Sequence, residues 1–281
     1  MEFSKICLPI AEELDKVKIE LKTITNNIGD NSTRDIFKYF FSSTGKYLRP
    51  ILTLLSSRAV NNHVLESVEQ KLIHLCVGIE LIHSASLIHD DIIDGDSTRR
   101  NHETLNRVYG DKIALLTGDA LYSRAFLIFS DKLPKGFSET MGIVTEVMSA
   151  SEILNASISN INRETYLKIV EEKTAFFMGV CCGLGAALSG ADEKEFNMLL
   201  NYGHNLGVTY QILDDYIDKD PVAIKNIDIT EAFKFASNAK DSIKNLKDSN
   251  YVESLTNLVD YVLDLYKPTI EIKNKLEIRV G

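Results

Sequence analysis

The chain has 281 residues, with 31 Lys and Arg against 40 Asp and Glu, and so a formal net charge of −9 at pH 7. That balance argues against a protein that holds nucleic acid through phosphate contacts. With 44% hydrophobic and 25% charged residues, the composition is that of an ordinary globular protein and excludes a disordered chain or a fibrous repeat.

Met1 to Lys22 places Ile6, Ile10, Leu14, Val17 and Leu21 at three- and four-residue steps, which predicts an amphipathic helix. The same segment lacks a basic start followed by an apolar run, so no secretory signal is expected. Asn26 to Ser32 reads as a turn-rich break, and Phe37 to Phe41 leads into a short Ser-Ser-Thr-Gly loop. Pro50, tolerated in a first turn, opens the apolar stretch Ile51 to Val60. Leu65 to Asp94 has no proline and a single glycine, Gly78, and predicts a long, largely buried helix. Further helices are predicted at Lys112 to Ser130, Ser138 to Ile153, Arg163 to Leu188, Glu193 to Asp218 and Thr230 to Tyr266. No strand-like alternation appears between them. Gly179 to Ala191, the most apolar segment, is too short to span a bilayer. Cys7, Cys76, Cys181 and Cys182 have no metal-site spacing and read as reduced, packed thiols of a soluble cytoplasmic protein. The expected fold class is all-α, in one domain over residues 1–281.

Two of these helices end in the same pattern, Asp90-Asp91-Ile92-Ile93-Asp94 and Asp214-Asp215-Tyr216-Ile217-Asp218. At about 100° per residue the first and last aspartates of each cluster lie roughly 40° apart, on one face and one turn apart. Leu87, Ile88, Ile92 and Ile93 surround the first pair and Ile212, Leu213 and Ile217 the second, so the acids are expected where a helix buries its core stripe. Uncompensated charges there would cost roughly several kcal/mol each, which calls for a cation. Oxygen-only ligands favour a hard ion, and Mg²⁺ held by one or two carboxylates plus substrate phosphates fits best. One such run alone would be a solvated helix end, but two copies on two apolar helices resist that reading. A calcium loop fails because no aspartate starts a run with Gly sixth and Glu twelfth.

Basic residues complete the pattern. Arg99 and Arg100 follow the first cluster, and Gly45-Lys46-Tyr47-Leu48-Arg49-Pro50 places Lys46 and Arg49 three apart, expected on one side of a helical turn. Guanidinium forks and ammonium groups suit diphosphates. His83 precedes Asp90 by seven residues, about 20° off in projection, so it shares that face. Lys173 and Thr174 interrupt an apolar helix start, and Gln211 shares a face with Asp218.

In these motifs, and in Gly118-Asp119, the chain resembles the trans-polyprenyl diphosphate synthases of the long-chain type, such as heptaprenyl and octaprenyl diphosphate synthases, from about Lys16 to Asp218. The resemblance implies an isoprenoid synthase-type helical bundle around a central cavity. It implies an enzyme that adds isopentenyl diphosphate head-to-tail to an allylic diphosphate, farnesyl diphosphate being the expected primer. By motif, Asp90, Asp94, Asp214 and Asp218 would be metal ligands, with Asp91 and Asp215 supporting and Lys173 among the catalytic groups. Lys46, Arg49, His83 and Arg100 would hold isopentenyl diphosphate; Arg99, Lys173, Thr174 and Gln211 would serve the allylic substrate. The family implies three Mg²⁺ ions with substrate bound, a homodimer or a heterodimer, and a product handed on to a membrane. Short-chain members place Phe or Tyr just before the first cluster, where this chain has Ala85 and Ser86, so an open tunnel and a long product are expected.

The chain departs from the family after Asp218. A Gly-Lys-x-x-x-Asp loop and a second Lys-Thr stretch are usual there, whereas Lys219-Asp220-Pro221 leads within a few residues to Ile229 and Ala232, so either this part is shortened or a loop has been closed up in the numbering. Asn101 stands where glycine is usual after Arg100, and Tyr47 replaces a common basic residue. Two rivals are a class I terpene cyclase, which would not need Lys46, Arg49 and His83, and a subunit that requires a partner chain, although such subunits usually lose the aspartates.

Overall fold

A computed structural model describes residues 2–43, 45–158 and 160–280. It is helical nearly throughout, and its residues fall into two compact units. The first unit comprises residues 1–10, 55–64 and 142–281; the second comprises 11–54 and 65–141.

In the second unit, α2 (Ala11–Thr25), α3 (Asn31–Ser42) and the first half of α4 (Leu48–Val60) accompany α5 (Glu66–Ile93). A short hairpin of β1 (Thr98–Arg99) and β2 (His102–Glu103) leads to α6 (Leu105–Tyr109) and α7 (Asp111–Lys132). Residues Leu72 to Ile82 of α5 are nearly all buried, so this helix is the core of the unit. Both α5 and α7 are long and apolar enough to cross a membrane by length and composition, but 72% of the apolar window of α5 is buried within the protein. Glu66 and Glu69 favour its N-terminus through the helix dipole. Against α7, Gly118 lets the helices approach: a Cβ there would lie 2.2 Å from His89 Nε2.

In the first unit, α1 (Phe3–Cys7) packs on α14 (Asn250–Val280). The other helices are α8 (Phe137–Ser157, from Gly142 onward), α9 (Arg163–Val170), α10 (Phe176–Leu188), α11 (Glu193–Ile217), α12 (Pro221–Asn226) and α13 (Thr230–Ile243). Its core is the packing of α11 against α10 and α13, with Tyr202 fully buried and its hydroxyl donating to the Leu255 carbonyl at 2.7 Å. Asp192 and Glu195 form a reciprocal capping box at the start of α11. The four cysteines carry no disulfide, and three of them are buried.

Several sequence expectations are corrected. The first helix is broken: Pro9 lacks an N–H, and a 3₁₀ turn over Leu8–Ile10 separates α1 from α2. The stretch Thr230 to Tyr266 is two helices, because Ser249 accepts the Val252 N–H and starts α14 afresh. The two-stranded hairpin was not foreseen, its strands being only two residues each. Arg100 and Asn101 have φ of 53° and 63°, the pair of positive values that a tight hairpin turn demands. Asn101 suits this, since Asn tolerates the left-handed region better than most residues.

Candidate active site

Both aspartate clusters stop their helices in one way. Asp94 and Asp218 are the C-caps of α5 and α11. The Asp96 N–H bonds the Asp91 carbonyl at 2.9 Å, and the Asp220 N–H bonds the Asp215 carbonyl at 2.9 Å. The Gly95 N–H reaches the Ile92 carbonyl, and the Lys219 N–H the Tyr216 carbonyl, each at 3.3 Å. This is the Schellman ending, which needs a left-handed residue after the cap. Gly95 (φ 68°) supplies it in one cluster and Lys219 (φ 58°) in the other. Holding a side-chain-bearing residue there costs about 1 kcal/mol or more. Lys219→Gly is therefore expected to stabilise the fold by about 1 kcal/mol, read as a higher urea midpoint; a lower midpoint would show that the lysine side chain is needed.

The apolar neighbours of the acids suggested a place in the core stripe, and the acids do not occupy it. Ile93 and Ile217 are 61% and 42% exposed, Asp94 and Asp218 are exposed, and Asp90, Asp214 and Asp215 are half-buried. Only Asp91 is buried. Its carboxylate meets Arg99 Nε at 2.6 Å, folded back by the hairpin, and Asn106 donates to its carbonyl at 3.1 Å. Burial pushes the Asp91 carboxyl above its usual range against the pull of Arg99.

Asp215 is tied in the same manner by neutral groups. It accepts from the Tyr166 hydroxyl at 2.6 Å and from Gln211 Nε2 at 2.7 Å, while Thr174 Oγ1 donates to Gln211 Oε1 at 2.7 Å. Burial raises its carboxyl to about 6, against those two hydrogen bonds. Asp214 receives the Tyr266 hydroxyl at 3.3 Å. In both clusters, then, the middle aspartate is fixed by partners on other segments, the first is half-buried, and the last is exposed at the helix end.

Thr174 and Lys173 lie on a π-helical turn, Glu171–Ala175, between α9 and α10. The Arg163 to Leu188 helix is thus locally unwound, a deviation frequent at functional sites. Lys173 forms an ion pair with Glu152 of α8.

Around the first cluster, His89 Nε2 lies 3.6 Å from Asp119 and 3.2 Å from the Leu115 carbonyl, with Tyr122 beside its ring. Burial, with the charges of Asp90 and Asp119, pushes the Tyr122 phenol up to about 12. Ala85 is fully buried and Ser86 half-buried, its hydroxyl donating to the His83 carbonyl at 2.9 Å. Contrary to the sequence expectation, Lys46 and Arg49 do not share a helical turn: Lys46 is exposed in the loop, Tyr47 has φ 55°, and α4 begins only at Leu48. Burial first, then the charges of Arg49, Arg100 and Arg99, holds His83 well below its usual value, so these arginines act on it electrostatically.

Among the described residues no three His, Cys, Asp or Glu side chains form a ready metal cage. The outer aspartates nonetheless suit Mg²⁺, which takes one or two carboxylates and completes its octahedron with phosphate oxygens and water.

The family model for polyprenyl synthetase matches residues 30–231. The chain belongs to the polyprenyl synthetase family. It is 34% identical over 212 residues to the decaprenyl-diphosphate synthase of Dictyostelium discoideum, covering 70% of this chain and 46% of that protein. It is 30% identical over 216 residues to the geranylgeranyl pyrophosphate synthase of Geoglobus acetivorans, covering 73% of this chain and 66% of that protein. The chain thus spans roughly half to two thirds of the length of these relatives. The crystal structure of a decaprenyl diphosphate synthase from Rhodobacter capsulatus superposes with a TM-score of 0.85 at 22% identity, over 94% of this chain and 99% of that one. That likeness shows the isoprenoid synthase fold expected for a polyprenyl synthetase family member.

Sequence reasoning did not find Glu80, Tyr122, Glu152, Tyr166 or Tyr266. Glu80 alone carried a signal, a charged residue at a buried position of an apolar helix. The others act through contacts that no local pattern announces.

Proposed function

We propose that this chain is a trans-prenyltransferase that condenses isopentenyl diphosphate head-to-tail onto an allylic diphosphate, farnesyl diphosphate being the expected primer. The observation that carries the proposal is the repeated cluster geometry: in each, a helix ends in three aspartates of which the middle one is tied to partners on other segments. Asp90 and Asp94, and Asp214 and Asp218, would hold Mg²⁺, three ions when substrate is present, whose charge offsets that of the leaving diphosphate. Arg99, Lys173, Thr174 and Gln211 orient the allylic diphosphate. Fixed donors stabilise negative charge as the allylic C–O bond breaks. Lys46, Arg49, His83 and Arg100 hold isopentenyl diphosphate so that its double bond attacks the allylic carbon, and positioning supplies much of the rate. A proton then leaves the new chain, with the released diphosphate as its acceptor.

The small residues Ala85 and Ser86 favour a long product, around heptaprenyl or octaprenyl. We further propose a single functional domain with a shortened segment after Asp218, dimeric and cytoplasmic, touching membranes only through its product. The purified chain with Mg²⁺, farnesyl diphosphate and radiolabelled isopentenyl diphosphate should incorporate label into extractable prenyl product. No incorporation by the chain alone, at any Mg²⁺ concentration, would overturn the reading; activity that returns only with a second polypeptide would place it in a heteromer.

A further inference from the structure

Glu80 takes no part in the proposed condensation. It lies on α5 one turn before His83, 6% exposed, and its Oε2 has no hydrogen-bond partner. An ionised carboxylate in such a place is costly unless cations face it or a proton neutralises it. The charges that act on it are those of Arg49 on α4 and of Arg100, exposed in the hairpin turn; Tyr47 lies in the loop before α4 and His83 on the same helix as Glu80. Arg100 is held close by Gly45, where a Cβ would stand 2.6 Å from Nη1. The Nδ1 of His83 is likewise buried with no hydrogen-bond partner. Both guanidiniums act on Glu80, which is a buried negative charge within their field when ionised.

We infer that Glu80 is an exchangeable counter-ion: ionised while no anion is bound at Arg49 and Arg100, it takes a proton from solvent when a diphosphate monoester binds those arginines. The inference rests on the isopentenyl diphosphate site proposed above. One O–H bond forms on the carboxylate, and buffer supplies the proton. Burial raises the Glu80 carboxyl to about 7 while Arg49 and Arg100 pull it down, so a small change in nearby charge tips it. A bound diphosphate adds like charge and favours the protonated form. In the free chain His83 is held well below and Tyr47 above their usual values, both by burial first, so any uptake by His83 on binding is separated from that of Glu80 by the Glu80→Gln variant.

The sign follows from linkage. Ionised Glu80 opposes the diphosphate, so affinity is highest with the carboxyl protonated and falls as pH rises above about 7, by up to tenfold per unit. The ligand's own ionisation works in the opposite direction. Calorimetric titration of the full chain with isopentenyl diphosphate near pH 8, in two buffers of different ionisation enthalpy, should show about one proton taken up per diphosphate. In Glu80→Gln, neutral and of the same shape, the uptake should vanish and Kd should stay flat above neutrality. Binding without proton uptake, or equal uptake by the variant, overturns the counter-ion role and leaves the prenyltransferase reading standing. Absence of binding overturns both. Should the variant fail to fold, the wild-type measurement decides alone.

Discussion

Asp90→Ala and Asp214→Ala are each expected to lower turnover by roughly a thousandfold or more while the fold persists, because the lost carboxylate acts chiefly on developing charge; Asp214→Ala also releases the Tyr266 hydroxyl, but from a long contact of 3.3 Å. The contrast with the neighbouring aspartates makes the experiment specific. Asp91 is 3% exposed and clamped by Arg99, so Asp91→Ala leaves the guanidinium with only its longer, 3.7 Å pair to Asp96 and should cost about 2 kcal/mol of stability as well as activity. Asp215→Ala strands the Tyr166 hydroxyl and Gln211, with a cost of about 1–3 kcal/mol. Circular dichroism melts and label incorporation, measured on all four variants, should separate into two pairs. Near-normal turnover of Asp90→Ala or Asp214→Ala would sink the assignment of the clusters, whatever the melts show.

The second large effect concerns product size. Ser86 is half-buried on the face of Asp90, one turn before it, whereas Ala85 is fully buried. One turn spans about 5.4 Å, comparable to one isoprene unit. Ser86→Tyr should therefore place a phenol across the path of the growing chain and shorten the product by several units, seen by thin-layer or mass analysis of the dephosphorylated prenols. Ala85→Tyr should act in the same direction but must displace core atoms, at a cost of about 1–3 kcal/mol. Unchanged product length in both variants would show that the chain grows elsewhere.

What was legible in the sequence is local. The lack of proline from Leu65 to Asp94 and the spacing of apolar residues predicted helices; Gly95, just after Asp94, was an unread local sign of where α5 stops, since backbone preferences act over a few residues. The pairing Asp192 with Glu195 and the run Asp248-Ser249-Asn250 were equally local signals, and the second of these, read as a cap, would have divided the last predicted helix. The two Asp-Asp-x-x-Asp runs and the basic residues that follow or precede them named the chemistry, because helical spacing alone puts the outer aspartates on one face.

The sequence by itself therefore determined the helices, the ends at which the carboxylates sit and the class of ligand they suit. It misjudged which acid is buried. Only the tertiary structure decided that Asp91 rests on Arg99 across a tight hairpin, that Asp215 is held by Tyr166 from another helix, that Lys173 sits on an unwound turn beside Glu152, and that Glu80 lies among Arg49 and Arg100. The reason is physical: the charge state of an acid depends on desolvation and on partners within a few ångströms in space, and these are set by how helices pack, not by the residues beside it in the chain.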